Sequence, residues 1–286
     1  MATLYDGTGK PIEVGGGSSA DFGVTDYGTF TDNAGTTARQ AVLTYQGKKL
    51  YPKNYPEQRL DFVKDYGGGV MLTLGDSYTA YMNGFYTTFA EKHGLVQDNR
   101  GVASSTIAGD DAGNVGFQPF WKRLDAAIAE YRSGKAIGGT TYKLEDVKLV
   151  VFMGGANDWD TVNNEIDRLG DPTSEDKSQL HGSCKYIFET MLSSFPNADI
   201  VVILQPSNAL KGNYVMWQKE GIVRNMAEMY SLPICDCCFE WYNPSNPTDA
   251  ATYWQTDNLH LTDAGHQAII DKLEKVVNNL PFTRNK

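Results

Sequence analysis

The sequence has no apolar run approaching the roughly 20 residues that a helix needs to cross a bilayer, so a helical membrane span is not expected. Basic residues are also scarce. Twenty-five Lys plus Arg stand against 35 Asp plus Glu among 286 residues, and the net charge of -10 opposes binding to nucleic acid or anionic lipid by Coulomb repulsion. Only Lys48, Lys49 and Lys53 cluster, and they read as a solvated loop. The opening residues Met1 to Asp6 lack both the basic and the apolar region of a secretory signal, so a cytoplasmic location is the expectation, with virion association or non-classical release as alternatives. Cysteine is sparse as well: Cys184 stands alone, and Cys235, Cys237 and Cys238 are crowded together. Neighbouring strand residues point to opposite faces, which makes this a poor disulfide framework; reduced, packed thiols are the simpler expectation. There is no C-x-x-C pair, so a metal site joining these thiols to His181 is the weaker alternative, and no metal or other cofactor is expected. H-E-x-x-H, a P-loop, a G-x-G-x-x-G after a strand and a G-x-S-x-G elbow are all missing, which argues against a zincin, a nucleotide-binding fold and an α/β-hydrolase.

The chain is long enough to bury a substantial core, and with 41% hydrophobic and 21% charged residues its composition is that of an ordinary globular protein. Its texture changes along its length. The first 65 or so residues are rich in Gly, Ser, Thr and Asp, as in Gly15 to Ser19 and Thr31 to Thr37, and read as an N-terminal appendage over 1–66, suited to attachment or oligomerisation. Within it, Tyr5 to Lys10 suggests a turn or hairpin and Ala41 to Tyr45 one short strand. From 67 to 286 short apolar runs alternate with helical periodicity, the signature of a parallel α/β sheet. Strands are predicted at 70–74, 149–153, 200–204 and 232–236, nearly all apolar because helices should cover both faces, with a further short strand near 95–99. Helices are predicted near 79–93, 119–133, 176–195 and 213–230. A last one starts at about Thr262, a suitable N-cap, and carries an apolar face through Ala264, Ile269, Leu273 and Val277.

Four short segments carry residues able to do chemistry. Strand 70–74 runs into Gly75-Asp76-Ser77, which places Ser77 at the carboxyl end of a buried strand, where open α/β sheets bind their ligands. Alone, this is an ordinary strand-to-helix turn. Asp257 and His260 sit on a polar loop just before the last helix; an imidazole can take a serine proton when a carboxylate fixes its tautomer. After strand 149–153 comes Gly154-Gly155-Ala156-Asn157-Asp158, whose Asn157 amide can donate to a developing oxyanion. In Asn99-Arg100-Gly101, Gly101 lets main chain approach a substrate and offer its N–H to the same oxygen, with the Ser77 N–H completing the hole. Asp76 and Asp158 read as turn-holding residues, with a cation at Asn157 to Asp160 the weaker alternative. His266 reads as structural, and His93 and His181, in helical stretches, as surface or packing residues.

Together these blocks, in the order Ser, Gly, Asn, Asp-His, resemble the SGNH/GDSL hydrolases over residues 70 to about 280. The resemblance implies a three-layer α/β/α sandwich with a mainly parallel, flavodoxin-like sheet, a serine esterase with Ser77, His260 and Asp257 as its catalytic group, and an oxyanion hole from Ser77, Gly101 and Asn157. Gly75-Asp76-Ser77-Tyr78 departs from the family name only at its fourth position, and residues 1–66 lie outside the likeness. Sixteen Tyr and five Trp, with Tyr253-Trp254 and Trp159 flanking the blocks, suit sugar-stacking walls, so short-chain esters such as O-acetyl groups on carbohydrate are the expected substrates. The alternatives are a broader lipase or acylhydrolase, or a glycan-binding virion or surface-attachment component with little activity.

Overall fold

The computed structural model describes residues 63–113, 116–158, 168–208, 210, 213–239 and 242–280, together with the backbone of three N-terminal strands. The chain divides into two compact units, Met1–Val63 and Lys64–Lys286. In the first, β1 (Phe22–Thr31), β2 (Thr37–Tyr45) and β3 (Lys48–Leu50) pair antiparallel in that order, with Phe22 opposite Tyr45 and a bulge between Val24 and Asp26. The short strand expected at Ala41 to Tyr45 is the second half of β2. Lys48 and Lys49, read as loop, instead pair with Tyr45 and Thr44 in β3, an edge strand where lysine discourages further pairing. The hairpin expected at Tyr5 to Lys10 and the glycines at 15–17 lie outside the described residues, as does Lys53.

In the second unit, five strands form a wholly parallel sheet: β4 (Val70–Gly75), β5 (Val96–Gly101), β8 (Val147–Met153), β9 (Asp199–Leu204) and β10 (Ile234–Asp236). Their order is β10-β9-β8-β4-β5, so the winding direction reverses between β4 and β8. That reversal opens a crevice at the carboxyl ends of the strands, where doubly wound sheets hold ligands. Successive strand side chains point to opposite faces, and both faces are apolar. Val70, Leu72, Leu74, Val150 and Phe152 pack under α3 (Phe120–Ser133), α4 (Leu180–Ser194) and most of α5 (Asn213–Met229). Met71, Leu149, Val151 and Ile203 pack under α1 (Ser77–Tyr81), α2 (Asn83–Lys92) and α7 (Asp263–Asn279). The result is the expected three-layer sandwich.

Differences from the sequence reading have local causes. The helix expected over 79–93 is two, broken at Met82, where the following Asn83-Gly84 pair is a local signal that went unused. Strand 232–236 begins only at Ile234, because Pro233 has no N–H to give the ladder. The hairpin of β6 (Lys135–Ile137) and β7 (Thr140–Tyr142) was not expected, although Gly138 and Gly139, at φ +58° and +84°, suit a two-residue primed turn. Nor was α6 (Pro247–Tyr253), which starts on an Asn246 side chain that accepts from Thr248 and Asp249 N–H groups. The second unit begins near residue 64 rather than 67: buried Lys64 pairs with Asp199 at 2.5 Å, and Tyr66 donates its hydroxyl to the same carboxylate at 2.8 Å. Among the described residues no helix is long and apolar enough to cross a membrane.

Candidate active site

Ser77 is the first residue of α1, immediately beyond β4, and its side chain is almost buried. Asp76 caps this helix by accepting the Tyr78 N–H at 3.0 Å, which turns the chain sharply and leaves the Ser77 N–H without a partner among the described residues. Across the crevice, His260 lies on the loop leading into α7. Its Nε2 is 3.2 Å from Ser77 Oγ, and its Nδ1 is 2.6 Å from Asp257 Oδ2. The other carboxylate oxygen of Asp257 accepts the Leu259 and His260 N–H groups, both at 2.9 Å. Burial pushes the Asp257 carboxyl upward, but these donors outweigh it and hold the group below its ordinary value, so it stays ionised beside the imidazole. The turn is closed by Asn258 at φ +56°, and α1 steadies it: the Tyr78 hydroxyl donates to Leu259 O at 2.5 Å. The Tyr81 ring stands edge-on to the His260 ring at 5.0 Å.

Asn157 follows β8, one strand from β4. One hydrogen of its amide goes to Ser105 O at 3.1 Å, which ties the loop after β8 to the loop after β5; the second hydrogen has no partner among the described residues. Asp158 strengthens the same link, accepting Ile107 and Ala108 N–H at 2.9 and 2.7 Å; burial raises its carboxyl to about 6. Asp76 and Asp158 thus hold turns, as expected.

Gly101 does not fill its expected role. Its N–H donates to Asn99 Oδ1 at 2.7 Å and is not available to a substrate. Glycine is needed there for a different reason: a Cβ would run into the backbone of Ala80, because α1 crosses close over the end of β5. Three residues on, Ser104 is held in the left-handed region at φ +65° with its N–H unpartnered among the described residues. A non-glycine residue in that conformation is uncommon and is strained unless its surroundings enforce it. Ser105 O accepts from Asn157, and Ser105 Oγ accepts from Arg123 at 2.9 Å while donating to Val102 O at 2.7 Å. Sequence alone gave no signal for Ser104, since Ser104 and Ser105 look like ordinary loop residues.

Two further residues escaped the sequence reading. Arg123 of α3 donates to Gly75 O at 2.8 Å, to Arg100 O and to Ser105 Oγ, stitching together the ends of β4 and β5; burial lowers its guanidinium to about 10. Gln205 follows β9 and reaches both Asp76 and Ala156. A polar residue directly after an apolar strand is the signal that could have flagged it.

Other expectations resolve simply. His266 is buried against Phe85 with a ring separation of 5.4 Å, and burial lowers its pKa, so it packs as a neutral ring. His93 and His181 are buried too, each with Nδ1 against a backbone carbonyl. All four cysteines are free and buried, and among the described residues no group of three or more His, Cys, Asp or Glu could hold a metal. Trp254, expected on a sugar wall, is only 4% exposed and belongs to the core, whereas Tyr253 stacks on Tyr242 at 3.7 Å. Trp159 and Asp160 lie outside the described residues.

The geometry can be compared with known proteins. The fold is similar to that of a protein from Lactobacillus plantarum, at 20% identity and TM-score 0.57, covering 75% of this chain and 98% of that one. Weaker likenesses include a lipase/acylhydrolase from Enterococcus faecalis, at 13% identity and TM-score 0.48 over 73% of this chain and 95% of that one. A family 3 carbohydrate esterase from Clostridium thermocellum matches at 13% and 0.46, over 73% and 94%. No curated protein matches the chain. The model of the GDSL-like lipase/acylhydrolase family, however, matches residues 73–268, a span that runs from β4 through the Ser77 turn, the Asn157 loop and His260 into α7. With that match over more than half its length, the chain belongs to the GDSL-like lipase/acylhydrolase family of ester hydrolases.

Proposed function

We propose that this hydrolase cleaves esters by two-step acyl transfer, with Ser77 as nucleophile, His260 as general base and Asp257 as the group that orients the base. The observation that carries this reading is the unbroken relay Ser77 Oγ to His260 Nε2 at 3.2 Å and His260 Nδ1 to Asp257 at 2.6 Å. His260 takes the Ser77 proton as Oγ attacks the ester carbonyl, then returns it to the departing alcohol; water repeats the sequence and frees the acid. The developing oxyanion is met by the Ser77 N–H, the Ser104 N–H and the second Asn157 hydrogen. Ser104 takes the place first assigned to Gly101, whose N–H is already engaged.

For substrate we favour short-chain acyl esters such as O-acetyl groups on carbohydrate. Tyr81 is 51% exposed and flanks His260, the side on which the alcohol leaves, and its face offers a surface on which a sugar ring can stack. Fluorophosphonate labelling tests the mechanism: the parent should be labelled and Ser77→Ala should not. A parent protein that resists labelling would instead favour a glycan-binding role. Hydrolysis of p-nitrophenyl esters from acetyl to decanoyl tests the substrate; a preference for eight carbons or more would overturn the acetylesterase assignment.

A further inference from the structure

Gln205 is fully buried at the carboxyl end of β9, two strands away from β4. Its side chain nevertheless bridges the turns that carry Ser77 and Asn157. Nε2 donates to both oxygens of Asp76, each at 2.8 Å, and Oε1 accepts the Ala156 N–H at 2.6 Å, while the backbone N–H of Gln205 goes to Glu220 Oε2 at 3.0 Å. The orientation of the amide is fixed by its partners, since only the oxygen can face an N–H and only the nitrogen can face a carboxylate. Asp76 directly precedes Ser77, and Ala156 directly precedes Asn157.

We propose that Gln205 is a positioning residue for ester hydrolysis, setting the separation between the Ser77 hydroxyl and the Asn157 amide through Asp76 and Ala156. This rests on the reading of Ser77 as nucleophile and Asn157 as oxyanion donor. The Asn157 loop needs such a brace because Gly154 and Gly155 precede it, the latter at φ +137° with no room for a side chain beside Glu220 Oε1 at 2.5 Å. Without the amide, the buried Ala156 N–H and the Asp76 carboxylate each lose a partner, and the loop can drift. A displacement of about 1 Å at a reacting group lowers turnover on the order of 10²-fold. The charged groups around the bridge are Asp76, Asp158, Glu220, Arg123 and Lys219, which donates to Ala156 O at 3.1 Å.

The test compares the parent, Gln205→Ala and Gln205→Glu in p-nitrophenyl acetate hydrolysis, fluorophosphonate labelling rate and thermal midpoint. Gln205→Ala should lose on the order of 10²-fold in kcat and in labelling rate, with KM changed by less than about threefold. In Gln205→Glu, a protonated carboxyl can still accept from Ala156 and donate to Asp76, whereas an ionised one faces the Asp76 carboxylate with no proton between them. Its kcat relative to the parent should therefore rise roughly tenfold from pH 8 to pH 5.5, a recovery that a merely structural role would not produce. A labelled parent with unchanged kcat and labelling in Gln205→Ala overturns the positioning role alone, and an unlabelled parent overturns the esterase reading with it. Should Gln205→Ala fail to fold, Gln205→Glu decides: a deficit equal at both pH values, or none at either, overturns the proposal.

Discussion

The two halves of the candidate site are built in opposite ways. The half that carries the proposed base is local and partly exposed: Asp257 and His260 are three residues apart, with side chains 45% and 21% accessible, and the carboxylate organises its own turn. The half that carries Ser77 and Asn157, the proposed nucleophile and oxyanion donor, is braced from afar by buried groups, Gln205 to Asp76 across 129 residues and Asp158 to Ile107 across 51. A short loop can aim one ring. Three N–H groups aimed at a single oxygen require several chain segments fixed at once, which takes contacts distant in sequence and shielded from water.

Four measurements would break or sharpen that contrast. The largest effect is expected at His260→Ala, which should lower kcat by on the order of 10⁴–10⁶ while hardly moving the thermal midpoint, because little packing depends on an exposed local loop; a large fall in midpoint would show that the base loop supports the fold. Asn157→Ala should lower kcat by about 10²–10³, and here a moderate loss of stability is also expected because the Ser105 carbonyl loses its donor. Unchanged turnover would remove Asn157 from the site. The third measurement concerns pH. Burial raises Asp76 to about 6, so the folded protein keeps a proton that the unfolded chain has already released. The stability contributed by this group is present at about pH 4, falls as pH rises through 6, and is level above. Relative to Asp76→Asn, the parent should lose up to about 3 kcal/mol between pH 4 and pH 7, measured by urea unfolding at both values; parallel curves would refute the burial argument. The smallest effect belongs to Tyr81→Ala, about three- to tenfold in kcat, as expected for one edge-on aromatic contact.

The same contrast explains what could be read from the sequence. The parallel sheet was legible because its central strands β4, β8 and β9 are largely apolar, and the last helix because Thr262 caps a clear apolar face. Ser77, Asn157, Asp257 and His260 stood out because each chemistry-bearing residue sits just beyond a strand or just before a helix, and in the structure Ser77, His260 and Asp257 are hydrogen-bonded in sequence. Gly101 was misjudged since sequence cannot tell a glycine that admits a ligand from one that admits a helix. Ser104 was missed because nothing in its sequence marks the left-handed conformation, and the bonds that hold the neighbouring Ser105 come from Arg123 and Asn157, distant in sequence. The bridge at Gln205 depends on a reach past β8 that no local pattern encodes. The β6–β7 hairpin and α6 had local signals, Gly138-Gly139 and Asn246-Pro247, that went unused.

Ser77 and His260 are 183 residues apart, and the imidazole arrives on the loop that introduces α7, the helix that packs beside α2. A ribosome therefore makes every strand of the parallel sheet, Ser77 and the loops of Ser104 and Asn157 before it makes His260. On the proposed mechanism the hydroxyl stays dormant during synthesis, and the nascent chain gains activity toward esters only once α7 has emerged and docked.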